Sequence, residues 1–243
     1  MPTHQSLSGA SDEELVQRMV TTHGERFGEA YWALFTAHVA PYLPPRPAVI
    51  DLGCGPGLSL RDLGERHPAA TLYGYDVTPA MITYGQHLTY TGAKPALALH
   101  DVTTQSLPHA AGTVHLVSMS SVLHVVDEPL SVLAEIRRVL APGGIFLVHD
   151  WVRQPLQTYL AWRRDSLGEG EVESLRRGFR LFPVHNKYTT DDWRWLLAKA
   201  GFAIRHQAQL RASHQIFVTT SAERSERATP VDAARAGSAH RLE

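Results

Sequence analysis

From residue 48 onward, short apolar runs alternate with stretches whose apolar residues recur at three-to-four spacing. AVIDL reads as a strand, LSLRDLGER as a helix, TLYGYD as a strand, PAMITYGQHL as a helix and ALALHD as a strand. VHLVSMS then reads as a strand, PLSVLAEIRRVL as a helix and GIFLVHD as a strand; after a gap, TDDWRWLLAKA reads as a helix, and FAIRHQAQL and HQIFVTT as strands. The alternation predicts an α/β fold, a doubly wound, seven-stranded and mostly parallel Rossmann-like sheet with helices on both faces. Upstream, EELVQRMV and GEAYWALFTAHVAPYL carry helical spacing that ends near Pro41 and the cluster Pro44, Pro45, Pro47.

Two regions depart from this rhythm. Residues 151–187 form an insertion between the fifth strand and the last helix, rich in Trp, Arg and Tyr, with Gly168 and Gly170 interrupting its helical pattern. Insertions at the carboxyl edge of such a sheet are where substrate specificity resides. Residues 1–12 and 221–243 hold few large apolar groups and are expected to be disordered. One domain over residues 13–220 is predicted, with residues 13–43 as a helical lid; Phe27, Tyr31 and Trp32 there face either a ligand or the core.

Composition narrows the classes. Hydrophobic residues make up 44%, charged residues 19% and the formal net charge is -1, so charge implies neither a nucleic-acid nor a membrane partner. No apolar run approaches the ~18 residues of a membrane span, and the first residues lack the basic start and apolar core of a signal peptide. A cytoplasmic monomer or homodimer is expected. The lone Cys54 has no partner for an internal disulfide, and packing behind the glycines around it is a likelier use than nucleophilic attack.

The candidate chemistry begins at VIDLGCGPGLSL. Gly53, Gly55 and Gly57 allow a tight strand-to-helix turn and close approach of a ligand at the switch point of the sheet. A dinucleotide fingerprint needs glycine at 58, and Leu58 stands there. Asp76, nineteen residues past Gly57, is placed at the tip of the second strand to accept both ribose hydroxyls, which suits NAD equally well. Asp101, at the tip of the third strand, separates the readings because it can accept from an exocyclic adenine amine.

DLGCGPG, YDVTPAMI, HDV, RRVLAPGGIFLVHDW and KYTTDDWRWLLAKAGF resemble the successive motifs of class I S-adenosylmethionine-dependent methyltransferases over about residues 28–220. The resemblance implies Asp51 and the glycine-turn backbone near the methionine part of the cofactor, Asp76 on the ribose, Val77 or Met81 against adenine, and Asp101 with the Val102 amide at the adenine edge. A turn without Lys or Arg and flanked by Asp51 also suits a sulfonium and an ammonium better than a phosphate. Ser120, at the end of the fourth strand, is a further cofactor contact, and Ser121 and His124 follow it towards the methyl group.

Methyl transfer chiefly requires alignment and exclusion of water, with a base where the acceptor must lose a proton. His124, Asp150 and His185 are the candidate catalytic residues; no metal is expected. His115 stands where an acid is common at the start of the fourth strand, which puts the capping of that strand in question. The insertion offers Tyr159, Trp162, Arg163, Arg164, Arg176, Arg177 and Arg180 to an acceptor carrying a ring and a carboxylate or phosphate. Methyl transfer to an O, N or C atom of a small molecule is the leading expectation. SSVL occupies the place of the tetrad used for amino groups of DNA bases, which argues against that substrate. Use of the cofactor without methyl transfer, releasing methylthioadenosine, and a non-catalytic cofactor-binding module are the alternatives.

Overall fold

The computed structural model describes residues 10–167 and 171–222. The expected disorder of residues 1–9 and 223–243, and the positions of Gly168 and Gly170, lie outside the described residues. Three helices open the described residues: α1 (Asp12–Thr21), α2 (His23–Arg26) and α3 (Glu29–His38). Ser11 starts α1 through a reciprocal capping box with Glu14. The rest alternates as β1 (Ala48–Leu52), α4 (Leu58–Arg66), β2 (Thr71–Asp76), α5 (Pro79–His87), β3 (Ala96–Leu99), β4 (Val114–Ser120), α6 (Pro129–Val139) and β5 (Leu140–Trp151). It ends with α7 (Leu156–Leu167), α8 (Glu171–His185), α9 (Thr190–Lys199), β6 (Phe202–Arg211) and β7 (His214–Ser221).

The seven strands run in the order β3-β2-β1-β4-β5-β7-β6, parallel except for β7, which is antiparallel to β5 and β6. Strand order reverses between β1 and β4, which makes their carboxyl ends the place for a ligand. The period-two alternation of the strands divides the core. Ile50, Leu52, Val117, Met119, Phe146, Val148 and Phe217 pack with residues of α6 and α9 on one face. Val49, Leu116, Ile145, Leu147, Ile216 and Val218 pack with residues of α3, α4 and α5 on the other. Tyr31 and Trp32 belong to this second core, while α1 rests on Met81 of α5 through Leu15 and Val16.

Several boundaries differ from expectation for physical reasons. The third strand stops at Leu99, before His100 and Asp101, because it is an exposed edge and Asp101 turns the chain by accepting from the Thr103 amide at 2.9 Å. The fifth strand begins at Leu140, which pairs with Val114, and Pro142, Gly143 and Gly144 form an irregularity inside it. The insertion condenses into the packed pair α7 and α8. His115 does serve the start of the sheet: its Nδ1 accepts from the Ala48 amide at 3.0 Å.

Behind the first strand-to-helix turn the packing has no slack. A Cβ on Gly74 would lie 2.5 Å from Leu97, 2.7 Å from Leu60 and 2.9 Å from Cys54 Sγ. Gly74→Ala is therefore expected to lower unfolding stability by about 1–3 kcal/mol in a urea titration; unchanged stability would mean that the floor of the turn yields freely.

Candidate cofactor and acceptor cavity

Three left-handed glycines shape the turn after β1, with φ of 69° at Gly53, 53° at Gly55 and 78° at Gly57. At Gly53 a Cβ would come within 2.2 Å of Val122. At Gly55 the nearest neighbour would be Met81 Sδ at 4.0 Å, so the backbone there borders open space that a ligand can enter. Asp76 braces the turn: its Oδ2 accepts from the Gly55 amide and its Oδ1 from the Thr78 amide, both at 2.9 Å. Burial raises the Asp76 carboxyl above its ordinary range, and these amides oppose the shift.

Asp51 lies one strand inward. Ser59 Oγ from α4 donates to its Oδ2 and Ser118 Oγ from β4 to its Oδ1, each at 2.7 Å. Ser118 stands directly opposite Asp51 in the register of β1 and β4, and only this pairing reveals it. The carboxyl is 5% exposed, and burial pushes it up to about 6 despite both serines. A cation beside it would restore the ionised form.

One cavity of about 240 Å³ joins these groups to the helical insertion. Asp51, Gly53, Gly55, Asp76, Val77, Met81, Asp101, Val102 and Ser120 line it; Gly57 does not, and caps α4 facing the Tyr90 hydroxyl. Residues of α1 and α2, including Leu15, Met19 and Arg26, form one wall, to which Phe27 adds. Trp162, Arg163, Leu181 and His185 of α7 and α8 form another.

The three residues with expected catalytic roles come together in different positions. His124 and Asp150 are 1% and 0% exposed and pair beneath the cavity, with His124 Nδ1 2.7 Å from Asp150 Oδ1. Asp150 also accepts from the Trp151 amide at 2.7 Å, so the carboxylate ties the β4 exit to β5. His185 is on the cavity wall: its Nδ1 lies 2.7 Å from the Tyr159 hydroxyl, its ring stacks on Trp151 at 3.9 Å, and its centroid is 5.6 Å from that of His124. His149, on the alternate face of β5, turns to Phe27 and Tyr31, and burial drives its pKa down to about 3. Ser121 holds a left-handed φ of 56° at the β4 exit, with Oγ 3.1 Å from His214 Nε2. His214, Arg26 and Arg211 also line the cavity, and no sequence motif marks them. His214 reaches the site because antiparallel β7 sets it opposite Trp151, a pairing that no local pattern signals.

A family model described as a methyltransferase domain matches residues 24–207. The chain belongs to the class I S-adenosylmethionine-dependent methyltransferases. It is 34% identical over 116 residues to a malonyl-[acyl-carrier protein] O-methyltransferase of Hahella chejuensis, covering 44% of this chain and 38% of that protein. It is 33% identical over 100 residues to a trans-aconitate 2-methyltransferase of Methylobacterium nodulans, covering 41% and 36%. The matched region thus spans less than two fifths of either relative. Human N-acetylserotonin methyltransferase, solved in complex with SAM, shares the fold at a TM-score of 0.64 and 19% identity over 91% of this chain and 60% of that one. For this methyltransferase, the open backbone at Gly55 and the desolvated Asp51 fit a ligand with a cationic sulfur and ammonium and no pyrophosphate.

Asp76→Ala is expected to destabilise the ligand-free protein by roughly 2 kcal/mol, because two turn amides lose their acceptor. Chemical unfolding without cofactor measures it; unchanged stability would show that the brace carries no weight.

Proposed function

We propose that the chain transfers the cofactor's methyl group to an oxygen, nitrogen or carbon atom of a small-molecule acceptor by in-line displacement. The observation that carries this reading is the meeting, in one cavity, of the glycine turn with the carboxylates of Asp51 and Asp76 and an aromatic wall bearing His185. S-adenosylmethionine supplies an electrophilic methyl on a sulfonium. Asp51 holds the cationic methionine end and Asp76, which also braces the turn, accepts from the ribose. Val77 and Met81 pack on the adenine, with Asp101 and Val102 at its edge and Ser120 towards the methionine. The relative named for trans-aconitate supports a small acceptor.

The chain's own work is then to orient the acceptor, exclude water and receive a proton. His185 is the proton acceptor in this reading because it alone of the three candidates stands on the wall. His124 and Asp150 act as positioning residues: the carboxylate fixes the His124 ring, and that ring packs edgewise against His185.

Mass spectrometry after incubation with methyl-labelled S-adenosylmethionine and a small-molecule extract tests the reaction. Extract-dependent S-adenosylhomocysteine with label on one metabolite is the expected result, and methylthioadenosine without extract would contradict methyl transfer. With that acceptor in hand, His185→Gln is expected to lower kcat by about 100-fold or more while cofactor affinity is retained. An unchanged kcat would remove His185 from proton transfer.

A further inference from the structure

The half of the cavity formed by the helical insertion carries positive charge with no matching anion among the described residues. Arg163 of α7 is 3% exposed, yet its Nε and Nη2 have no hydrogen-bond partner. Both atoms are closed in by packing, with a Cβ on Gly178 falling 3.8 Å from Nε, and the Tyr159 hydroxyl is the polar neighbour of the guanidinium. Among the described residues no carboxylate forms an ion pair with Arg163. The side chain is held where it is: a Cβ on Gly178 would lie 3.5 Å from its Cδ, and its guanidinium carbon is 6.0 Å from the centre of the Tyr159 ring.

Two more guanidiniums border the same cavity. Arg211, at the end of β6, places Nη2 3.5 Å from His214 Nδ1 and Nη1 3.6 Å from Glu25, a long ion pair. Arg26 donates to Met19 O at 3.2 Å, and the Nε atoms of both arginines are buried without partners. Burial, and then the charge of Arg211, lower the Arg26 pKa to about 10, as expected for cations that share too little negative charge. Keeping such groups desolvated is costly, and an anionic ligand offsets that cost. The acids that line this cavity are Asp51, Asp76 and Asp101 at the glycine-turn end, and Glu25 beside Arg211.

We propose that the acceptor carries an oxyanion, carboxylate or phosphate, that pairs with the Arg163 guanidinium where it borders the cavity, with Arg26 and Arg211 adding to the positive field. The proposal rests on reading this cavity as the joint cofactor and acceptor site. Trp162 and Trp151 supply apolar surface beside the anchor for the body of the molecule.

Isothermal titration of the S-adenosylhomocysteine-loaded protein with small carboxylates, aryl phosphates and their neutral amides or esters tests it. At least one acid is expected to bind about tenfold or more tightly than its neutral counterpart. Whether the best acid is a carboxylate or a phosphate names the group. Arg163→Gln should remove most of that preference and Arg163→Lys should retain part of it, because lysine keeps the charge, while S-adenosylhomocysteine affinity and the unfolding midpoint stay at the parent values. Overturning results are a panel in which no acid is preferred, or a preference that survives in the Arg163→Gln protein. Failure of S-adenosylhomocysteine to bind would instead count against the cofactor site, because the acid-against-amide comparison can be run on the ligand-free protein.

Discussion

A carboxylate held out of water at the centre of the sheet is the constraint around which the cavity is organised. Asp51 sits on β1, where strand order reverses, and two serine hydroxyls only partly replace the solvent it has lost. Electrostatic interactions are strong in such surroundings, so this position discriminates sharply between a cationic and an anionic neighbour. The turn that follows leaves room at Gly55, and Asp76 fixes that room in place through the Gly55 and Thr78 amides.

Other walls carry the opposite sign. Arg163 stands on the α7–α8 wall beside aromatic rings, and Arg26 and Arg211 border the cavity from α2 and β6. The cavity thus pairs carboxylates at the glycine turn, where the cationic cofactor is proposed to lie, with the Arg163 guanidinium on the wall where the acceptor is proposed to lie. A molecule with an anionic end and a reactive atom would be oriented by this field before any base acts. The His124–Asp150 pair, buried under the aromatic wall, contributes rigidity to the arrangement without reaching the cavity itself.

The sheet and its glycine turn were legible because their signals are local. Buried parallel strands are short apolar runs, and the glycine turn, Asp76 and Asp101 each follow a strand closely enough to be placed from spacing alone. Strand ends were less legible: the edge strand β3 is stopped by the Asp101 turn, and β5 is lengthened by pairing with β7 as far as Trp151. The acceptor end depends on contacts between distant segments. Arg26, Arg211 and His214 reach one cavity through the packing of the N-terminal helices and the antiparallel insertion of β7, neither of which leaves a periodic trace. His124 and Asp150 were found as residues but not as a pair, because 26 positions separate them and only the fold sets one against the other.

The most direct test of the central claim is isothermal titration of S-adenosylmethionine across pH 5–8, in buffers of different ionisation enthalpy. Asp51 is held near 6 in the ligand-free protein, and a bound cation lowers that value, so binding must release a proton at acid pH. Affinity should be level above about pH 7 and fall, approaching tenfold per pH unit below about 6, with the dependence lost in Asp51→Asn. An affinity that is flat through this range in the parent protein, or a pH dependence that persists in Asp51→Asn, would contradict the placement of the cation beside Asp51.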